Sequence, residues 1–371
     1  MKIMVVVGTR PEIIRLSMVI NAIHESFELI LVHTGQNYDY ELNEVFFQDL
    51  KLPKPHYFLN CNGKNACGTV GEIISKTHDV MCDERPDALL ILGDTNSCLS
   101  AYSAKRLKIP VFHMEAGNRC FDQRVPEEIN RKIVDAISDF NLPYSQISRS
   151  YLINEGFDPA NICVTGSPMA EVLQNFRHQI ENSEILDKYN LERKNYIVLS
   201  LHREENVEDA CCLTQVFSAL NQIIDDTNVR VYFSAHPRTR KRLQELQINL
   251  HENIIFSRPV GFFDYIKLQM NSLVTFSDSG TIFEESTILG FPAVSVRQTH
   301  ERPEAFEVSG PVLASPRLND LINAFKYVTS IPQHHEVPVD YKPTNVSEKV
   351  VKIILSYTGY INFYKWHKKE R

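Results

Sequence analysis

Ile3-Met4-Val5-Val6-Val7-Gly8-Thr9-Arg10-Pro11-Glu12, at the start of the chain, sets the pattern for everything after it. An unbroken apolar run rich in β-branched residues makes a strand buried on both faces. Gly8 permits a tight turn, and Pro11 suits the first turn of a helix, whose pattern runs from about Glu12 to Glu25. The unit then recurs along the chain. Leu29–His33 is followed by a helical stretch through Glu41–Leu50, and Ala88–Leu92, Val111–Met114, Phe140–Pro143 and Ile162–Val164 read as further strands. Alternation of this kind means βαβ units and a parallel sheet. The pattern restarts with Tyr196–Leu201, Val229–Ser234, Ile254–Phe256, Leu273–Phe276, Ala293–Val296 and Val312–Leu313. Helical patterns at Cys212–Asp225, Lys241–Leu246, Phe263–Met270, Ile282–Leu289 and Leu318–Thr329 fill most gaps. Phe176–Lys194, charged and poor in β-branched residues, lies between the two series and puts the junction near Ala170–Glu192.

The predicted fold is therefore α/β, with two doubly wound domains and a cleft between them. The first spans 1–170 and takes back the last helix, within 347–371; the second spans 171–346. At 371 residues the chain is too long for one ordinary core. Its 43% apolar and 23% charged content is ordinary for a globular enzyme. A net charge of −7 argues against a general nucleic-acid binder, which needs a basic face. The eight cysteines show no zinc-ligand spacing and read as reduced thiols of a cytoplasmic protein, with no metal expected. The apolar run at the N-terminus is too short for a secretion signal, and no stretch is apolar enough to insert into a membrane.

In open α/β sheets ligands sit at the carboxyl ends of the strands, and the charged residues gather there. Gly8–Glu12 offers free N–H groups and Arg10 to an anion. It lacks the other glycines of a dinucleotide fingerprint and the lysine of a P-loop, so neither NAD nor ATP is indicated. Taken alone, such a motif is more often just a strand–helix turn. Gly93-Asp94-Thr95-Asn96 repeats the arrangement, and Asp94 is as suited to capping the next helix as to catalysis. Glu115 directly follows an apolar strand, where an acid is costly unless paired or usefully placed. Glu127 opens a helix, a favourable position on dipole grounds alone. Arg119, Arg124 and Arg131 are candidate partners for these acids. In the second half His202 ends a strand, and Ser277-Asp278-Ser279-Gly280-Thr281 leads into a helix carrying Glu284 and Glu285. Small residues with free N–H groups at a helix start suit a diphosphate, and an acid a turn or two later suits a ribose diol. Arg302 follows in His300-Glu301-Arg302-Pro303-Glu304.

These motifs, in this order, resemble the non-hydrolysing UDP-N-acetylglucosamine 2-epimerase family. They are Gly8–Glu12, Thr34–Gln36, Gly93–Thr95, Glu115–Gly117, Pro126–Arg131, Gly166, His202–Arg203, His236–Pro237, Asp278–Gly280, Glu284–Glu285 and Glu301–Glu304. The resemblance implies two Rossmann-like domains in the glycosyltransferase-B architecture, a UDP-sugar substrate held mainly by the second domain, no cofactor, and a homodimer. Residue by residue it implies Asp94, Glu115 and Glu127 as catalytic acids and His202 as a catalytic or leaving-group residue. Arg10 matches a phosphate-side contact, Ser279, Gly280 and Thr281 the diphosphate loop, Glu285 a ribose contact, Arg302 a further active-site arginine, and Tyr265 a uracil-stacking position. Arg15 stands where lysine is usual, keeping the charge with a different donor geometry, and Arg131 closes the Pro126–Arg131 motif. Thr281 replaces a glycine and Phe283 a glutamine. Asn37 replaces a histidine and Glu204 an arginine near the site where many members bind an activating UDP-N-acetylglucosamine, so the chain is expected to need no activator.

The runs Gly8–Arg15, Glu115–Arg131 and His202–Val207 are similar to the branch making UDP-N-acetyl-L-fucosamine for capsule or O-antigen, which inverts C2 of UDP-2-acetamido-2,6-dideoxy-L-talose. The resemblance implies that UDP leaves C1, a glycal forms as C2 loses its proton, and UDP returns while a proton arrives on the opposite face. The alternatives are epimerisation of UDP-N-acetylglucosamine to UDP-N-acetylmannosamine, hydrolysing epimerisation, sugar transfer to an acceptor, and a silent UDP-sugar sensor.

Overall fold

A computed structural model describes residues 1–35, 46–235, 237–331 and 334–368. The chain forms two compact units, Met1–Gln174 with Val339–Arg371, and Asn175–Pro338. Each is built on a six-stranded sheet of parallel pairs.

In the first unit the strands are β1 (Lys2–Val7), β2 (Glu28–His33), β3 (Tyr57–Phe58), β4 (Ala88–Leu92), β5 (Val111–Met114) and β6 (Phe140–Leu142). They lie in the order β3-β2-β1-β4-β5-β6, so the winding reverses between β1 and β4. The second unit repeats the plan with β7 (Tyr196–Ser200), β8 (Arg230–Ser234), β9 (Ile254–Ser257), β10 (Val274–Ser277), β11 (Ala293–Val296) and β12 (Val312–Ala314). Its order, β12-β11-β10-β7-β8-β9, reverses between β7 and β10. Both are the doubly wound Rossmann order.

The apolar runs explain the layers. One face of the second sheet buries Ile197, Leu199, Val231, Phe233, Val274 and Phe276 against helices carrying Phe217, Leu220, Leu321 and Phe325. The intervening Tyr196, Val198 and Tyr232 bury on the other face with Leu186 and Leu268. Burial on both faces leaves only the loops at strand ends to carry chemistry. The last helix, Val346–Tyr364, belongs to the first unit and packs on the helix Arg10–Ser26.

Three local expectations change. Ile162–Val164 is not a strand; Ile162 makes only an isolated parallel bridge to Asn141. The sheet therefore ends at β6 on that side, and its other edge is the two-residue β3, too short to leave a sequence pattern. The helix Ala66–Glu84 carries two poor helix formers, Gly68 and Gly71, near its start, which weakens its sequence pattern, and is capped by the Asn65 side chain, which accepts from the Gly68 N–H at 2.8 Å. Of the predicted helical stretch Glu41–Leu50, residues 41–45 lie outside the described residues.

Candidate active site

In the first unit the site is built where β1, β4 and β5 end. Glu12, the third residue of the helix after β1, turns its carboxylate back to accept from Gly8 N (3.0 Å), Thr9 N (2.7 Å) and Thr9 Oγ1 (2.8 Å). Ser97, beyond β4, donates to the same carboxylate. Glu12 thus ties together the loops on either side of the sheet's reversal. Burial pushes its pKa above the ordinary value, against these hydrogen bonds.

Glu115 is 5% exposed, immediately after β5. Arg15 Nη1 donates to its Oε2 at 2.6 Å and Asn118 Nδ2 to its Oε1 at 3.2 Å. Its backbone is left-handed, φ +66°, a conformation costing a non-glycine residue on the order of 1 kcal/mol or more. Gly93 faces it: a Cβ there would stand 3.7 Å from Glu115 Oε2, and φ of +79° at Gly93 favours glycine in any case. Asp94, half-buried, accepts from Arg131 Nε at 2.7 Å and lies 2.6 Å from Arg131 Nη2. Arg131 Nη1 also donates to buried Glu128 at 2.8 Å. Asp94 is therefore held by an arginine and does not simply cap the following turn. Glu12, Asp94 and Glu115 lie close enough that, after burial itself, all three raise the pKa of buried Cys98.

Arg131 is the candidate partner that reaches a site acid. Arg119 instead lies 2.8 Å from Asp135 and donates to Glu155 at 2.8 and 2.5 Å, while Arg124 holds Asp122. Asp135 also pairs with His113 Nδ1 at 2.9 Å, and His113 Nε2 meets the Gly93 carbonyl at 2.8 Å. This buried network fixes the strand ends that carry Asp94 and Glu115. Glu127 sits half-buried in the first turn of the helix Pro126–Ile137. Arg10 lies over the Phe46 ring, 5.5 Å from its centroid.

In the second unit Asp278 is the organiser. Fully buried, it accepts from the backbone N–H of His202 (3.1 Å) and Arg203 (3.0 Å) and from Asn206 Nδ2 (3.2 Å). His202 Nδ1 lies 2.8 Å from Asp278 Oδ1, with the imidazole 58% exposed. The Asp278 carboxylate holds the His202 pKa above its ordinary value. For Asp278, burial acts upward, but His202 and the N–H donors outweigh it and the carboxyl sits low. Ser279, Gly280 and Thr281 lead into the helix Ile282–Leu289, with Ser279 Oγ 2.9 Å from Thr281 Oγ1. Glu285 accepts from Gln269 Nε2 at 2.8 Å, and buried Arg302 donates to Glu284 Oε2 at 3.3 Å. Burial first, then Glu285, raises the Tyr265 pKa, and the Ser200 and Ser277 hydroxyls act against them. Gln36, Asn37 and His236 lie outside the described residues, as does the side chain of Glu204.

Two features of this edge went unread in the sequence. Asp278 looked like part of a phosphate loop and is its buried anchor. Moreover, Ser257, Ser234, Ser200, Ser277 and Ser295 are paired in register across five adjacent strands. The signal was available: four of the six strands end on serine. Small hydroxyls in a row keep the carboxyl edge low and polar.

Among the described residues no group of three or more His, Cys, Asp or Glu side chains could hold a metal ion, and no helix is long and apolar enough to cross a membrane. All eight cysteines are free thiols.

Comparison with known proteins bears on this geometry. The family model for UDP-N-acetylglucosamine 2-epimerase matches residues 21–355. A UDP-2,3-diacetamido-2,3-dideoxy-D-glucuronate 2-epimerase from Pseudomonas aeruginosa is 36% identical over 308 residues, 81% of this chain and 85% of that protein. The structure of UDP-N-acetylglucosamine 2-epimerase from Rickettsia bellii superimposes with a TM-score of 0.92 at 45% identity, covering 99% of this chain and 100% of that one. The Methanocaldococcus jannaschii enzyme, in complex with UDP-GlcNAc and UDP, gives 0.90 at 32% identity, covering 96% and 100%. With two Rossmann-like units of the kind combined in the glycosyltransferase-B architecture, and with this match along its length, the chain belongs to the UDP-N-acetylglucosamine 2-epimerase family and is an isomerase, a UDP-sugar 2-epimerase.

Proposed function

We propose that the chain inverts C2 of UDP-2-acetamido-2,6-dideoxy-L-talose to give UDP-N-acetyl-L-fucosamine, by elimination and re-addition of UDP. The C2 proton is not adjacent to a carbonyl, so a side-chain base cannot remove it directly. The C1–O bond breaks first, its electron pair leaving with UDP. The oxocarbenium-like C1 acidifies C2–H, a carboxylate takes that proton, and the C–H electron pair forms the C1=C2 bond of a glycal. Protonation from the opposite face and return of UDP to C1 complete the inversion.

The observation that carries this reading is Glu115, buried in a left-handed backbone conformation and paired with Arg15 in the same loop cluster as Asp94. Backbone strain held in place by surrounding structure points to function. A buried carboxylate held in place by an arginine suits support of a cation at C1. Asp94 and Glu127 exchange the C2 proton on the two faces. In the second unit Ser279, Gly280 and Thr281 at the helix N-terminus hold the diphosphate, Glu285 the ribose, Tyr265 the uracil and His202 the departing phosphate, with Arg10 and Arg302 adding positive charge.

The L-fucosamine branch rests on the runs Gly8–Arg15, Glu115–Arg131 and His202–Val207. Epimerisation of UDP-N-acetylglucosamine is the second reading, favoured by the names of the Rickettsia and Methanocaldococcus proteins. Incubating the protein with each nucleotide sugar in parallel and following C2 by NMR decides between them. Turnover of the 6-deoxy-L-talo nucleotide supports the proposal; turnover of UDP-N-acetylglucosamine alone overturns the branch. A place in capsule or O-antigen synthesis and a cytoplasmic location follow from the same proposal. A homodimer is in keeping with the exposed Tyr102, Ile129 and Ile133 on the first unit and is checked by light scattering.

A further inference from the structure

Arg297, just past β11, is 3% exposed. Its Nη2 donates to Glu301 Oε2 at 2.9 Å. Its Nε and Nη1 are buried and have no hydrogen-bond partner. A guanidinium cannot shed its proton, so these idle N–H groups carry the penalty of a desolvated, partly unsatisfied cation. A native protein keeps such a group when something else completes it.

The idle donors lie against one particular loop. A Cβ built on Gly280 would stand 2.7 Å from Glu301 Oε1 and 3.8 Å from Arg297 Nη1. The Arg297–Glu301 pair therefore packs directly on Gly280, at the start of the eight-residue helix Ile282–Leu289. That helix end favours an anion independently of the arginine. Glu301 would oppose an anion, but its carboxylate is paired with Arg297 and lies 3.9 Å from Arg203 Nη2.

We propose that Arg297 is a diphosphate-binding residue, tethered through Nη2 by Glu301 so that Nε and Nη1 are held for a phosphate oxygen. This rests on the reading of Ser279–Thr281 as the UDP seat. It assigns Arg297 a contact with the ligand and Glu301 a positioning part.

The test compares binding of UDP and of uridine, which lacks the diphosphate, to the full-length wild-type protein and to Arg297→Met and Arg297→Lys. Wild type prefers UDP. Arg297→Met is expected to weaken UDP at least about 10-fold and to leave uridine unchanged, because a charge-assisted contact is lost from the phosphates alone. Arg297→Lys restores only part of the affinity, since it keeps the charge without the fork. Should Arg297→Met fail to fold, the lysine variant carries the same comparison. UDP affinity within about twofold of wild type in the variants overturns the assignment. Equal losses for UDP and uridine overturn it as well, by marking Arg297 as structural. A wild-type protein with no preference for UDP over uridine removes the seat itself, a failure distinct from that of Arg297.

Discussion

In the proposed mechanism single side chains at the strand ends carry the chemistry, and their partners hold them in place. Glu115 is paired with Arg15 at 2.6 Å, and removing one partner or the other has different consequences. Glu115→Gln keeps the shape and is expected to lower turnover at least about 100-fold while UDP affinity stays within a few-fold. Arg15→Met leaves Glu115 buried without this guanidinium and is expected to lower both turnover and thermal stability. Steady-state kinetics, UDP titration and thermal unfolding of the two variants check this. A different residue contributes to acid stability. His33 is fully buried at the end of β2, stacked on Phe58 with ring centroids 4.7 Å apart, and burial lowers its pKa to about 4. The unfolded chain binds this proton near pH 6.5, the folded chain only near 4, so stability falls as pH drops through that window, by up to about 3 kcal/mol. His33→Phe should flatten this part of the urea-denaturation profile between pH 6.5 and 4. An unchanged slope would show that His33 does not contribute to it.

At the scale of elements, loops after parallel strands are pinned by contacts that tolerate no added atom. Gly117 has φ of +75°, and a Cβ there would lie 2.4 Å from the Ser148 carbonyl oxygen and 2.8 Å from Leu152 Cγ. Gly117→Ala is therefore expected to destabilise the first unit by more than about 2 kcal/mol, read from urea midpoints. What the sequence disclosed follows from the same physics. Strands such as Ile3–Val7 and Ala88–Leu92 were legible because burial on both faces demands unbroken apolar runs. Glu115 was legible because an acid directly after such a run is anomalous. Tyr57–Phe58 was not, since two residues have no period, and Ile162 has apolar neighbours without a strand's pairing. Arg15–Glu115 and His202–Asp278 span 100 and 76 positions, and nothing local marks such partners. Arg297 was missed for another reason: its sequence context is an ordinary strand end, and only its burial with Nε and Nη1 left idle singles it out.

The molecule as a whole consists of two units with the same winding, and the chain returns to the first through its last helix. Val346–Tyr364 buries Val350, Ile354 and Ile361 and packs on the helix Arg10–Ser26. Truncation after Asn345 is expected to unfold the first unit while Asn175–Pro338 keeps a cooperative transition, which calorimetry of the truncated protein would reveal. A single transition at the wild-type temperature would deny the helix that part. In the proposed mechanism, acids of the first unit rebuild a sugar whose UDP the second unit holds. Turnover in D2O tests it most directly, with NMR of C2 in the product formed from the nucleotide sugar that the enzyme accepts. One solvent deuterium at C2 of each epimerised product is the predicted result; product that keeps its original protium at C2 would contradict proton exchange by Asp94 and Glu127.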